Sequence, residues 1–252
     1  MIRLVAVLLT TVFSLAFGWG SAAQAADGRA KATPVDFRGC NFHEGMGMED
    51  LQKVATKFRE YTNKNDFDYA AWTLHPEFQA KFEFDFGWLG SWSDSEAYGV
   101  STEHWKLNGR AIYAEFAKVM DCTSTHQLAM SLPINAPKGT PEDGILMFYA
   151  CNLEDGKSID DAYAAHLNLG SDMKAMGSLA VSWFFQPALG GVAGVDYYHV
   201  VGFYRYADMG ATMELYANGG GIASFRKNLG GVSSCNTPTV YDAVSVRARD
   251  ER

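Results

Sequence analysis

Apolar residues along this chain recur with two different spacings, and the two alternate. Met48, Leu51, Val54, Ala55 and Phe58 fall three and four apart, which is one buried face of a helix ending near Asn63-Lys64-Asn65. Asp50 stands in its first turn, where a carboxylate complements the helix dipole. Lys81 to Trp92 instead has period two, with Phe82, Phe84, Phe86 and Trp88 on one side and Lys81, Glu83 and Asp85 on the other, and predicts a strand. Pro34 to Phe42 and Gly144 to Leu153 also read as strands. So do Tyr69 to Leu74 and Leu179 to Phe185, with Pro76 and Pro187 as their stops. Val195 to Tyr206 carries aromatics on both sides and predicts a more fully buried strand. Ser93-Asp94-Ser95-Glu96 is an N-cap for a helix reaching Asn108-Gly109, and Ala207-Asp208 leads into its counterpart ending at Asn218-Gly219-Gly220. Short helices at Ile112 to Met120 and Ile222 to Leu229 precede final strands at Thr123 to Leu132 and Thr237 to Val246.

The pattern occurs twice. Cys40-Asn41-Phe42-His43-Glu44-Gly45 returns as Cys151-Asn152-Leu153-Glu154-Asp155-Gly156, and the same offset sets Trp72 on Trp183, Pro76 on Pro187, Asp85 on Asp196, Glu103 on Glu214 and Gly109 on Gly220. One register held over this length implies a duplication, read as a first copy over 34–134, a Pro- and Gly-bearing linker over 135–143 and a second copy over 144–247. Each copy runs strand, helix, strand, strand, helix, strand, the split β-α-β order of a ferredoxin-like fold. An antiparallel sheet with helices on one face leaves its other face to be covered, and the second copy can cover it.

On this element order, and on Gly87-Trp88-Leu89-Gly90 before the second helix, the chain resembles the dimeric α/β-barrel superfamily in its tandem form. It is similar to antibiotic-biosynthesis monooxygenase-type and NIPSNAP-type domains. The resemblance implies an α+β fold, two ferredoxin-like repeats packed sheet to sheet as a pseudo-dimer. It also implies a small apolar or aromatic ligand between the repeats, with cofactor-free oxygenase or isomerase-like chemistry as one use of that cavity. Haem binding, as in the chlorite dismutase group, is a sub-case, for which no residue here matches the ligand of the iron; the cofactor is left unassigned. A non-catalytic protein whose cavity is filled by Phe82, Phe84, Phe86, Trp88 and Tyr197 is the rival reading.

The first residues read as an export signal over 1–25, with Arg3, the apolar Leu4 to Phe17 and the cleavage site Ala23-Gln24-Ala25. Its removal takes Arg3 from a chain of formal charge -8 and leaves -9. An acidic protein without a basic run excludes nucleic acid as a partner, and no membrane insertion is expected once the signal is cleaved. A periplasmic or secreted location suits the four cysteines, which bracket the copies. Three pairings are possible, and duplication favours the one that repeats: Cys40 with Cys122 and Cys151 with Cys235.

The six histidines are dispersed, with no helical pair of the metalloprotease kind, and no metal site is expected. A site shared by two similar copies takes its direction from positions where they differ. His75 faces Gln186 in the comparison of copies, and His199 replaces Trp88, so His75 and His199 are the candidate bases. Trp88, Trp92, Tyr197, His126 and Gln186 are the candidate ligand contacts. Each histidine also has a plain structural reading, as a strand-end or interface side chain. Asp85 and Asp196 read as structural caps or salt-bridge partners, and Trp72 and Trp183 as core between sheet and helix.

Overall fold

The computed structural model describes residues 30–81, 83–137 and 139–249; the segment expected to be an export signal lies outside them. The first copy folds as β1 (Thr33–Phe42), α1 (Met48–Lys64), β2 (Ala70–Phe78), β3 (Phe86–Ser91), α2 (Ser95–Asn108), α3 (Arg110–Phe116) and β4 (Met120–Asn135). The second gives β5 (Gly144–Leu153), α4 (Ile159–Ala175), β6 (Val181–Leu189), β7 (Tyr197–Phe203), α5 (Tyr206–Asn218), α6 (Gly221–Leu229), the short β8 (Ser233–Cys235) and β9 (Thr239–Arg247).

The strands pair in the order β4-β1-β3-β2 in the first copy and β9-β5-β7-β6 in the second, the same arrangement twice. The last strand of each copy also pairs with the second strand of the other, β4 with β6 and β9 with β2. These two seams close eight antiparallel strands into a barrel, which leaves no free edge between the copies. From Ala32 onward the chain is one compact unit. The fold is α+β, two ferredoxin-like repeats set sheet to sheet with helices outside.

Strand alternation then defines two kinds of core. Val35, Trp72, Leu74 and Leu89 from the first copy meet Phe185, Val200 and Tyr241 from the second inside the barrel. On the outer face of the first sheet, Leu51, Val54, Ala55 and Phe58 of α1 pack on Cys40, Phe86 and Trp88. The matching layer of the second copy joins Ala162 and Tyr163 of α4 to Phe184 and Tyr197. Trp72 and Trp183 therefore face the barrel interior, and the expectation that they fill the helix layer is corrected.

Three further expectations change. Residues 79–81 and 83–85 are not strand, and β3 begins only at Phe86, so the run of alternating phenylalanines is broken: Phe84 packs inside the barrel while Phe86 and Trp88 pack outside it. The break is set by Asp85, whose carboxylate accepts the Phe42 N–H at 2.8 Å while its own N–H bonds the Cys40 carbonyl at 2.9 Å. Asp196 repeats both bonds with Leu153 and Cys151. Pro76 and Pro187 do not stop their strands, because each lies at a seam where the register shifts and the ladder can do without an N–H. Side chains of both sheets pack between the copies, but not the ones foreseen there: Phe86, Trp88 and Tyr197 lie under the helices.

The disulfides join Cys40 to Cys122 and Cys151 to Cys235. Each ties the first strand of a copy to the segment leaving its helix layer.

Candidate functional site

A cavity of about 310 Å³ opens in the helix layer of the first copy, between the outer face of its sheet and α1, α2 and α3. Its walls are aromatic: Phe58, Tyr69, Trp88, Trp92, Trp105 and Phe116. Phe58 organises them, since its ring meets those of Tyr69, Trp88, Trp105 and Phe116 edge-on at 5.7–5.9 Å. Edge-to-face contacts at this distance fix ring orientation as well as burying area. The helices stand off the sheet because α2 has little to bury: Ser101 is its single buried residue, while Val100 and Leu107 are exposed. The exposed His43, Tyr113, Asp121 and Thr123 stand at the mouth.

A polar network lies on the floor. Asp36 is 2 % exposed, and one of its oxygens, Oδ2, takes Arg38 Nε at 3.0 Å, Arg38 Nη2 at 2.9 Å and His126 Nε2 at 3.3 Å. Its other oxygen has no hydrogen-bond partner among the described residues. Arg38 lines the cavity, and its guanidinium, though partly desolvated, is held charged by Asp36. Beside it, Trp88 donates its indole N–H to the Tyr69 hydroxyl at 2.8 Å. Burial, then the Asp36 charge, push the Tyr69 hydroxyl far above the ordinary tyrosine range, so it stays protonated. From β9, Arg247 donates to the Tyr69 carbonyl, so the second copy's last strand fixes the backbone of this floor.

The same layer in the second copy is built differently. His199 stands where Trp88 stands, its cross-strand neighbour being Tyr149 where Trp88 has Arg38. The His199 ring lies 4.2 Å from that of His166, and His166 Nε2 is 3.0 Å from the Tyr197 hydroxyl, which in turn is 2.6 Å from Ser233 Oγ. Burial lowers His199 to about 4, and burial together with His199 holds His166 well below its ordinary value, so both rings are neutral at pH 7.

The expected site residues do not converge. Trp88 and Trp92 line the first-copy cavity; His126 reaches it only through Asp36. Tyr197 and His199 belong to the second copy's helix layer. Gln186 is exposed at the β4–β6 seam. His75 is half-buried at the β2–β9 seam, with Nε2 3.2 Å from Thr73 Oγ1 and with Asp242 opposite. Burial lowers its pKa against the pull of Asp242 and Glu77. Arg38, Asp36 and Tyr69 were not singled out from the sequence. The signal for them was present: the one-copy polar pair Asp36 and Arg38 aligns with Met147 and Tyr149.

Among solved structures, a candidate monooxygenase from Lactobacillus acidophilus matches 86 % of this chain and 95 % of its own, at a TM-score of 0.56 and 7 % identity. A candidate chlorite dismutase matches 86 % and 96 %, at 0.53 and 9 %. The two chains share one architecture with this protein. It has the tandem dimeric α/β-barrel fold. The chlorite dismutase of Candidatus Nitrospira defluvii, in complex with imidazole, has it as well, with 87 % and 92 % covered, a TM-score of 0.50 and 8 % identity. No family model matches the sequence, and no curated protein matches it. At such identities the likeness carries the fold and not the chemistry.

Proposed function

We propose that this is an exported, disulfide-stabilised binding protein that takes a small aromatic molecule into the cavity of its first copy, between sheet and helices. The observation that carries the reading is the cavity itself: about 310 Å³, walled by preassembled aromatic rings, with a few polar side chains among them. Two disulfides with no free cysteine among the described residues support an oxidising compartment. No helix among the described residues is long and apolar enough to cross a membrane.

The groups at the floor suit binding and orientation better than proton transfer. Tyr69 is held protonated and Arg38 is held charged, so neither is poised to exchange a proton near neutral pH. Haem does not fit this cavity, whose volume of about 310 Å³ is at the small end of ligand sites and too little for a four-pyrrole macrocycle.

Intrinsic fluorescence tests the reading, because Trp88, Trp92 and Trp105 all line the cavity. Saturable quenching by 2-naphthalenemethanol or 2-naphthoate, lost in Thr102→Trp where the new ring fills the space, is the expected result. Absence of binding by both probes, or binding unchanged in the filled variant, would refute it.

A further inference from the structure

The second copy serves as an internal control for what this fold requires. Opposite one another on β1 and β3 stand Asp36 and Gly90; the matching pair on β5 and β7 is Met147 and Val201. Arg38 and Trp88 are likewise replaced by Tyr149 and His199. The same sheet is thus built without this ion pair in its outer face, and burying the Asp36 carboxylate costs several kcal/mol before any attraction is recovered. The charges of the first copy are not there because the fold demands them.

Nor is Arg38 arranged as a partner devoted to Asp36. A guanidinium placed for a carboxylate's sake engages both oxygens through two parallel bonds. Here Nε and Nη2 both fall on Oδ2, while Oδ1 is left buried and unpaired. Nη1 has no protein partner among the described residues, and the side chain, 41 % exposed, borders the cavity. Asp36 therefore anchors the guanidinium and leaves one amino group for something else. Of the other polar side chains on the lining, Asp121 accepts from Thr123, and His43 meets the Ala117 carbonyl. The wall adds a further donor in need of an acceptor, since the Trp92 indole nitrogen is buried with no partner among the described residues.

Resting on the reading that this cavity binds an aromatic molecule, we propose that the ligand is a planar aromatic carboxylate of one or two rings, its carboxylate held by Arg38 and its rings between Trp88, Trp105 and Phe116. The cavity volume lies at the small end of ligand sites, which limits the ring count. Asp36 and Gly90 then have a joint purpose: the missing side chain at Gly90 makes room for the Asp36 carboxylate and the Tyr69 hydroxyl, and the carboxylate fixes the guanidinium.

Calorimetric titration of the mature protein with 2-naphthoate and with its neutral near-isostere 2-naphthalenemethanol tests this. The acid should bind about tenfold more tightly or better, the range of one charge-assisted hydrogen bond in a desolvated site. In Arg38→Gln the preference should vanish while the alcohol binds as before, and Arg38→Lys should recover part of it. Equal binding of acid and alcohol to the unaltered protein would overturn the assignment of the carboxylate while leaving the aromatic cavity standing. A preference retained in Arg38→Gln would do the same. Failure of both probes to bind would overturn the cavity reading and this inference with it. The comparison on unaltered protein decides the matter even if a variant does not fold.

Discussion

Gly90 stands directly across from Asp36 on neighbouring strands, and a β-carbon built on it would collide with the Asp36 carboxylate and the Tyr69 hydroxyl. A buried carboxylate and a buried phenol approach one another over a glycine, at the floor of an aromatic cavity. In the second copy the same two positions hold Met147 and Val201 and no such approach exists. From this relationship follows a test by substitution. Gly90→Ala should lower stability by about 1–3 kcal/mol, as overpacking of a filled site does, and should weaken ligand binding. Gly99→Ala, on open helix surface with nothing near its β-carbon, should leave binding unchanged and raise stability by about 0.5–1 kcal/mol, as alanine does over glycine inside a helix. Urea unfolding of the three proteins checks the prediction.

Removing one member of the Asp36–Arg38 pair should cost more than removing both. Arg38→Tyr leaves Asp36, 2 % exposed, with only His126 beside it, and should destabilise by roughly 3 kcal/mol. Asp36→Met with Arg38→Tyr restores the residues that the second copy uses at these positions, and should unfold closer to the native protein than Arg38→Tyr does. A double-mutant cycle in denaturant measures the difference.

The second copy's buried imidazoles predict loss of stability in acid. Folding lowers His199 from an ordinary value near 6.5 to about 4, and lowers His166 as well, so the unfolded chain binds the extra protons first. Stability from these groups is complete above pH 6.5 and is lost as pH falls from there through 4. For His199 the loss amounts to about 3 kcal/mol. His75, lowered in the same sense, adds to it. The unfolding free energy of His199→Phe, followed from pH 7 to pH 4, should therefore fall less steeply than that of the native protein.

The disulfides span separations of 82 and 84 residues, and loop entropy assigns about 4 kcal/mol to a crosslink of that length. Replacing Cys151 and Cys235 together by Ser should lower the unfolding free energy by 2–4 kcal/mol, on the scale of about 2–5 kcal/mol typical of native bridges. Non-reducing peptide mapping should recover Cys40 with Cys122 and Cys151 with Cys235.

Much of the fold was legible because it depends on local and repeated signals. The spacing of Leu51, Val54, Ala55 and Phe58 fixes a helix face, and Asp94 accepts the Ala97 N–H at 2.8 Å as an N-cap should. Doubling of the pattern made the tandem barrel readable, since each bare sheet needs a cover. The strand through Phe82, Phe84 and Phe86 was misread, because alternation in sequence cannot show that Asp85 breaks the ladder to cap the end of β1.

The site was less legible, for a physical reason. A strand has two faces, and sequence period shows that they differ without saying which one meets the other sheet and which meets the helices. Trp88 and Tyr197 were thus expected between the copies, whereas both lie under the helices. What the sequence determined by itself was the duplicated α+β architecture and the pairing of its cysteines, through periodicity and symmetry. Only the tertiary structure showed a cavity under the helices of the first copy. That cavity depends on how far α2 and α3 stand from the sheet and on Arg38, Tyr69 and Trp88, brought onto one floor from β1, the residue before β2, and β3.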